Sequence, residues 1–341
     1  MTGSALIAAA AVAALVVAPS ADAIAPRDGV SPAVRVWTIE YRAHDGLLRQ
    51  AYVLLPRWYG PGDDPRIPLV ISPHGRGVEA IDNAAIWGAL PALGRFAVVN
   101  PDGQGRALEL YSWGDPGEID DLARMPQLVT QALPWLRVDL RRIYAVGGSM
   151  GGQEALLLVA RHPRLLAGAA AFDAPVNMAL RYRDFRRLRH GLLLQRLARA
   201  EIGGTPSSDA QGYRLRSPLD FVRRIAFSGV PLQLWWSRLD RVVVDQARQT
   251  GLLYREIERL NPLAPVRDFV GEWAHTAEMR ATTRLPIALG LFDLLPPSRS
   301  HFGGGVLLQP AERRPDAANT LASRQHLPPP VTGSAHRVHR A

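Results

Sequence analysis

The segment around Ser149 constrains the fold of this 341-residue chain more than any other part of the sequence. Residues 143–146 are strand formers, residues 147–152 read Gly-Gly-Ser-Met-Gly-Gly, and residues 153–160 have a helical composition. A strand that passes into a helix through Gly-x-Ser-x-Gly is typical of a nucleophile elbow, where glycines permit a sharp, strained turn that exposes the serine hydroxyl. Free backbone N–H groups at the start of the helix lie close to the place where an oxyanion would form. We therefore predict that Ser149 is a nucleophile.

Short apolar runs alternate with helical stretches from Val34 to about Leu295. Residues 36–41 and 50–55 flank a turn at Gly46 and predict a hairpin. The later runs are continuous and apolar, as in strands buried on both faces of a parallel sheet, and they cover residues 68–72, 96–100, 143–146, 166–172, 231–236 and 266–270. Segments with helical composition or spacing cover residues 119–136, 153–160, 244–259 and 276–294. This alternation predicts an α/β fold with a mostly parallel sheet covered by helices on both faces.

The alternation is interrupted at residues 174–230, which are rich in arginine and leucine. The leucines have partial helical spacing, which predicts a small helical cap over the carboxyl edge of the sheet. The arginines of this insertion fit either a solvated helix face, which we favour, or a clamp for an anionic substrate. They are Arg181, Arg183, Arg186, Arg187, Arg189, Arg196 and Arg199.

Both ends of the chain differ in composition from the α/β domain predicted at residues 24–295. Residues 1–23 predict an export signal, because a short apolar run precedes Ala21-Asp22-Ala23, an A-x-A cleavage pattern. The run is shorter than the ~20 residues that a membrane-spanning helix requires. We therefore expect a secreted or extracytoplasmic protein without a stable membrane span after cleavage; an uncleaved N-terminal anchor is the alternative. Residues 296–341 are rich in Pro, Gly and Arg and predict a disordered tail.

Composition excludes several classes of function. The chain has no cysteine, so neither disulfides nor thiolate metal sites are available. The net charge is +9, but the basic residues are not ordered on one face with stacking aromatics, as nucleic-acid binding would need. No metal-ligand set, P-loop or dinucleotide fingerprint emerges. We expect no nucleic-acid partner, no metal and no cofactor, and the sequence leaves the oligomeric state open.

A serine hydroxyl needs a base to take its proton. His74 and His275 are the only histidines in loops that follow buried core strands. His275 follows the last strand and precedes the last helix, so its loop would pass over the sheet edge where Ser149 is presented. We therefore predict that His275 is the general base.

The acid that orients an imidazole must also lie at this edge. Asp240 follows the strand that ends at Trp236 and has this position. Asp173, after another strand, and Asp245 are competing candidates. The order Ser149, Asp240, His275 is that of α/β-hydrolases and differs from the order in the chymotrypsin and subtilisin types.

An oxyanion hole completes such a site. The N–H group of Met150, directly after the nucleophile, would be the first donor. The loop at residues 72–77 follows the strand at 69–71 and would supply the second donor from Arg76, or from Gly75 as the alternative. Each donor can lower the barrier by about 3 kcal/mol. His74 would then hold this loop.

With these residues the chain resembles secreted α/β-hydrolases of the esterase and polyhydroxybutyrate-depolymerase-like group, close to prolyl-oligopeptidase-like catalytic domains. The resemblance spans about residues 34–295 and rests on His74-Gly75-x-Gly77, Gly147-x-Ser149-x-Gly151-Gly152, Asp240 and His275. It implies a serine hydrolase without a cofactor that cleaves ester or amide bonds through an acyl-enzyme.

The leading hypothesis is a serine esterase that acts on a small or polymeric carboxylic ester. A peptidase or an acyltransferase with the same fold would use the same three residues, and a catalytically inactive hydrolase fold could bind a ligand instead. Trp113 and Trp273 could line the acyl pocket or could simply pack in the protein.

Overall fold

The computed structural model of the chain describes residues 21–23, 30–103 and 113–296. The export signal expected at residues 1–23 therefore lies outside the described residues except for its last three. The tail expected at 296–341 lies outside them beyond Pro296. Both interpretations stay predictions.

In the described part of the chain, nine strands form one sheet in the order β1-β2-β3-β5-β4-β6-β7-β8-β9. Neighbouring strands from β1 to β3, and β3 with β5, pair antiparallel, whereas all pairs from β5 to β9 are parallel. The strands are β1 (Ala21–Ala23), β2 (Val34–Arg42), β3 (Leu48–Pro56), β4 (Ile67–Ile71), β5 (Ala97–Pro101), β6 (Val138–Gly148), β7 (Gly168–Phe172), β8 (Leu232–Ser237) and β9 (Val266–Gly271). The mostly parallel sheet predicted from the sequence is confirmed.

Helices cover both faces of the sheet. They are α1 (Ala80–Ala85), α2 (Leu90–Gly94), α3 (Pro116–Ala132), α4 (Met150–Arg161), α5 (Met178–Asp184), α6 (Gly191–Ile202), α7 (Ala210–Leu215), α8 (Val222–Ala226), α9 (Thr250–Leu260) and α10 (Leu285–Gly290). On one face, α3, α4, α8 and α9 contribute to the larger core, and on the other, α1, α2 and α10 contribute to the second core.

Side chains of the central strands enter the two cores alternately. Leu69 and Ile71 of β4 belong to the larger core, whereas Val70 between them belongs to the second core. Because successive side chains of a strand point to opposite faces, a strand covered on both sides has no polar face. This is why the central strands read as unbroken apolar runs in the sequence.

Several elements differ from the sequence prediction. The short helices α1 and α2 have no counterpart in it, and α9 begins at Thr250 rather than at residue 244. The strand predicted at residues 143–146 begins at Val138, because its first half is partly exposed and carries polar residues that hide the apolar signature. The helix predicted at residues 276–294 is restricted to Leu285–Gly290, and its first turn contains Pro286, which is tolerated at a helix start. The chain before it forms turns, and these turns follow His275.

The segment between β7 and β8 contains α5, α6, α7 and α8, where the sequence predicted a helical insertion. It has a small apolar core of its own. That core joins Trp113 to residues of α5, α6, α7 and the turn after α5: Met178, Tyr182, Phe185, Ala198, Ile202 and Tyr213. The insertion is therefore held on the rest of the fold through a cluster that includes Trp113.

The predicted cleavage pattern lies in β1, which pairs with β2 through Ala21 opposite Ile39. Cleavage after Ala23 would remove β1 and leave β2 at the edge of the sheet. Across the described residues, every helix is too short or too polar to cross a bilayer.

Candidate active site

Ser149 lies at the turn between β6 and α4 in a strained conformation. Its φ of 56° and ψ of −123° are unfavourable for a residue with a side chain, at about 1–3 kcal/mol. The turn is held by the Ser149 N–H group, which donates to the Phe172 carbonyl oxygen at the end of β7 over 2.8 Å. Residues 150–160 of α4 are buried, so packing also fixes the start of the helix. The serine side chain is half-buried above the carboxyl ends of the strands.

The glycines of the elbow are required by close backbone contacts. A methyl group on Gly151 would overlap the Pro73 carbonyl oxygen, and one on Gly147 would overlap the carbonyl group of Gly151. A methyl group on Gly148 would lie 2.9 Å from the Met279 sulfur. The elbow is therefore packed against the loop after β4 and against the loop that contains His275.

His275 and Asp240 form a hydrogen-bonded pair. The His275 Nδ1 atom lies 2.7 Å from the Asp240 Oδ2 atom. Asp240 is buried, and its other hydrogen bonds come from the N–H groups of Val242 and Val243 and from the Gln246 amide, at 2.8 to 3.0 Å. Burial raises the pKa of Asp240, but the His275 contact and these donors outweigh it and hold the pKa below its ordinary value. An ionised Asp240 only accepts, so Nδ1 carries the hydrogen and Nε2 can act as a base.

Asp173, the competing acid, is buried and holds the loop of His275. Its Oδ1 atom accepts from the Ser237 N–H group over 2.9 Å. Its Oδ2 atom accepts from the Trp273 indole over 2.9 Å and from the Thr276 N–H group over 2.8 Å. Burial, and after it the Asp240 carboxylate, raises the pKa of Asp173 to about 6 against the opposing effect of these donors. Asp173 therefore fixes the two residues that flank Ala274 and His275.

One carboxylate oxygen of Asp173, one of Asp240 and a ring nitrogen of His275 lie within 4.8 Å of one another, close enough for a shared cation. Each of the four carboxylate oxygens, however, already accepts from at least one nitrogen donor. A cation at these oxygens would have to replace the nitrogen donors. Several of these donors are backbone N–H groups, which cannot rotate away as a side chain can. The donor set therefore fits a hydrogen-bonded network and does not fit a metal site.

The structure brings most of the predicted site residues to one cavity of about 680 Å³. Ser149, His275, Met150, Arg76 and Gly75 all line it. Asp240 is not among the lining residues; it is buried and contacts His275.

The loop after β4 lies beside Ser149. A methyl group on Gly75 would lie 3.8 Å from the Ser149 Cβ atom. His74 is buried, with Nδ1 2.9 Å from the Gly75 carbonyl oxygen and with Nε2 accepting from the Gly103 N–H group over 2.9 Å. His74 thus joins this loop to the end of β5, in agreement with its predicted role of holding the loop.

The Arg76 side chain connects the same loop to the insertion. Its Nη1 atom lies 2.6 Å from the Glu201 Oε1 atom on α6. The guanidinium also stacks over the Trp113 ring, 4.7 Å from its centroid. The side chain of Arg76 therefore connects the loop beside Ser149 to α6.

The two tryptophans that could line the pocket have different roles. Trp113 lines the cavity, and its N–H group donates to the Met150 sulfur over 3.3 Å. Trp273 is buried and donates to Asp173 instead. Gln246, which orients Asp240, was not identified from the sequence, because a glutamine six residues after an acid has no distinctive pattern.

The favoured interpretation of the arginine run is wrong for Arg181, and Arg199 is half-buried with its Nη1 atom donating to the Tyr182 hydroxyl over 2.8 Å. Arg183, Arg186, Arg187, Arg189 and Arg196 are exposed, as a solvated helix face requires. Arg181 is buried and lines the cavity, because it lies on the inner side of α5. Periodicity alone could not separate it from its neighbours, since it lies in the same cationic run.

Comparison with known proteins bears on the fold. No family model matches the chain. Poly(3-hydroxyalkanoate) depolymerase C from Paucimonas lemoignei is 30% identical over 110 residues, which is 30% of this chain and 27% of that protein. Acylaminoacyl peptidase from Pyrococcus horikoshii has a TM-score of 0.56 and 16% identity, over 73% of this chain and 39% of the other. The chain has the α/β-hydrolase fold.

Two other solved structures also match this chain in fold. A puromycin hydrolase matches with a TM-score of 0.56 and 18% identity, over 83% of this chain and 42% of the other. Prolyl oligopeptidase B from Galerina marginata matches with a TM-score of 0.55 and 14% identity, over 71% of this chain and 33% of the other. The chain spans less than half the length of each of these four proteins. The α/β-hydrolase fold expected from the sequence is confirmed.

Proposed function

We propose that this protein is a serine hydrolase with Ser149 as the nucleophile, His275 as the general base and Asp240 as the acid that orients His275. The observation that carries the proposal is the common cavity: Ser149, on its strained turn, and His275, hydrogen-bonded to Asp240, both line it. Strained residues and buried acid–imidazole pairs are each found at functional sites, and here they occur together.

The reaction follows from these positions. His275 Nε2 takes the proton of the Ser149 hydroxyl while its oxygen bonds to the carbonyl carbon of the substrate. The resulting oxyanion accepts hydrogen bonds from the N–H groups of Met150 and Arg76, with Gly75 as the alternative donor. Collapse breaks the bond to the leaving group, which receives the proton from His275. Water then attacks the acyl-enzyme by the same steps and releases the carboxylic acid.

We favour a carboxylic ester, small or polymeric, as the substrate. The cavity walls next to Ser149 are largely apolar, with Trp113, Pro175, Leu188 and Leu194 among the lining residues, and can hold a hydrocarbon chain. One relative is, by its name, a depolymerase of poly(3-hydroxyalkanoate), which is a polyester.

A peptidase is the second candidate. The observation in its favour is the fold shared with acylaminoacyl peptidase and prolyl oligopeptidase B. The triad itself does not distinguish an ester from an amide, because both pass through the same tetrahedral intermediate. Turnover of matched ester and peptide panels by the purified protein separates the two. Faster cleavage of peptides than of esters would refute the ester assignment.

Covalent labelling tests the nucleophile directly. A fluorophosphonate probe should label the wild-type protein and the Ser207→Ala variant, in which an exposed serine is removed, but not the Ser149→Ala variant. Circular dichroism of each variant checks that it is folded. Absence of labelling in folded wild-type protein would favour a non-catalytic binding protein. Transfer of the acyl group to an added alcohol rather than to water would identify an acyltransferase.

A further inference from the structure

The cavity beside Ser149 contains a buried cation that the proposed reaction does not use. Arg181, on α5, is 5% exposed and lines the cavity. Three arginines, Arg76, Arg181 and Arg280, and one carboxylate, Asp82, contribute to the cavity wall. Arg76 is paired with Glu201, and Arg280 is exposed to solvent, so Arg181 is the buried guanidinium to explain.

The conformation of Arg181 is fixed on two sides. Its guanidinium lies over the Phe185 ring, 4.6 Å from the centroid, and the Phe185 ring contacts Trp113 at 5.6 Å between centroids. Its Nη1 atom donates to the Val242 carbonyl oxygen. A guanidinium held in this way is pre-organised, because little side-chain entropy is left to lose when a ligand binds.

These contacts leave most of the hydrogen-bonding capacity of Arg181 unused. A guanidinium has five N–H donors, and the hydrogen bond to Val242 uses one of them. The Nε atom is buried without a hydrogen-bond partner, and among the described residues the group forms no ion pair. The carboxylates of Asp240 and Asp184 act on Arg181 only from beyond ion-pair distance. A buried charge without a close counter-ion is costly unless another charge completes the site.

Arg181 keeps its charge in this setting. Burial lowers its pKa to about 10, and the carboxylates of Asp240 and Asp184 oppose that shift. The group is therefore a cation at neutral pH.

We propose that the substrate of this hydrolase carries a carboxylate at a distance from the scissile bond, and that Arg181 binds this carboxylate. The inference rests on the proposed function, since it names the substrate class of the same site. A carboxylate matches the planar guanidinium and gives a charge-assisted hydrogen bond. The apolar walls of the cavity would hold the chain between the two groups.

A purely structural role for Arg181 predicts a different result. Val242, which accepts from Arg181, also donates to Asp240 through its N–H group over 2.8 Å. Loss of Arg181 could therefore loosen Asp240 and slow every substrate equally. An anion-binding role changes the selectivity between charged and neutral substrates.

The test compares two series of esters. The first contains the mono-4-nitrophenyl esters of succinic, glutaric and adipic acid, which carry a free carboxylate at three distances. The second contains the methyl esters of the same compounds, which are neutral. The measured quantity is the ratio of kcat/KM for each monoanion to that for its methyl ester. We expect the Arg181→Met substitution to lower the largest of these ratios by about ten- to a hundredfold, as for a lost hydrogen bond to a charged group.

Arg183→Met is the matched control, because it removes the same charge from an exposed position of the same helix. It should retain the wild-type ratio, and Arg181→Lys should recover part of it. An unchanged ratio in Arg181→Met, or a wild-type preference for the neutral esters throughout, would overturn the proposal. If neither series is hydrolysed, the proposed function fails. In that case, calorimetric titration with adipate tests the anion site separately. Adipate binding that is weakened by Arg181→Met, but not by Arg183→Met, supports the site. Absence of adipate binding to the wild type refutes it.

Discussion

The Asp173→Asn substitution tests how the loop of His275 is held. The two carboxylate oxygens of Asp173 accept from the Ser237 and Thr276 N–H groups and from the Trp273 indole. An asparagine side chain has only one oxygen, so the donors on one side of residue 173 must face its NH₂ group. If the amide oxygen takes the place of Oδ2, the Ser237 N–H group loses its acceptor, at about 1–3 kcal/mol. Asparagine tolerates the positive φ of 48° at this position, so the backbone adds little strain.

The magnitude of the pH effect follows from the pKa of Asp173. Its pKa is 3.8 as the ordinary value and about 6 in the folded protein, because burial and Asp240 disfavour the charge. This difference corresponds to about 3 kcal/mol. The pKa of Asp173 is higher in the folded protein than in the unfolded chain. The contribution of Asp173 to the free energy of unfolding is therefore fully present below pH 3.8 and is lost as the pH rises through 6. The Asp173→Asn variant lacks this dependence.

Urea unfolding followed by circular dichroism at several pH values measures the effect. The free energy of unfolding of the wild type minus that of Asp173→Asn should fall by up to about 3 kcal/mol between about pH 4 and pH 8. A difference that grows with pH would refute the reasoning, because it would mean that the nitrogen donors hold the pKa of Asp173 below its ordinary value.

Asp268→Asn is a comparison variant for activity. Burial raises the pKa of Asp268 to about 6 as well, and its Oδ1 atom accepts from the Trp236 indole over 2.7 Å. It lies on β9, away from the cavity lining, so the stability of both variants should lose a similar pH dependence. Only Asp173→Asn should lower kcat, because Asp173, unlike Asp268, accepts hydrogen bonds from residues beside His275.

Three further outcomes are expected. Gly151→Ala should lower the free energy of unfolding by about 1–3 kcal/mol in urea melts, because the new methyl group overlaps the Pro73 carbonyl oxygen. Asp240→Asn should lower kcat by up to about 10⁴-fold, as for the corresponding change in a serine protease, and should remove the stability that the wild type loses as acid protonates Asp240. If the predicted signal is cleaved, mass spectrometry of exported protein should find Ile24 at the N-terminus; a retained Met1 would support the anchor.

The sheet and the order of the site residues could be predicted because local sequence carries their signals. Buried parallel strands have no polar face, so β4, β5 and β8 read as apolar runs. The strands end at one edge, so residues that follow them, such as Asp240 and His275, could be expected to meet. The glycines around Ser149 reflect backbone contacts that leave no room for a side chain.

Residues whose roles depend on distant partners could not be predicted in this way. Asp173 binds groups 64 to 103 residues further along the chain, and nothing near it in the sequence indicates this. Arg181 resembles the exposed arginines around it and differs only through the packing of α5. The shorter last helix has the same cause, because contacts of the His275 loop override the helical spacing of residues 276–284.

The ion pair between Arg76 and Glu201 has a consequence for engineering. A chimera that replaces residues 174–230 with the corresponding segment of another hydrolase would also replace the counter-charge of the loop beside Ser149. Arg76 would then remain in a largely enclosed place, at 17% side-chain exposure, without that carboxylate. Grafts that aim to change substrate range should therefore keep an acidic residue at position 201, or they will alter turnover together with selectivity.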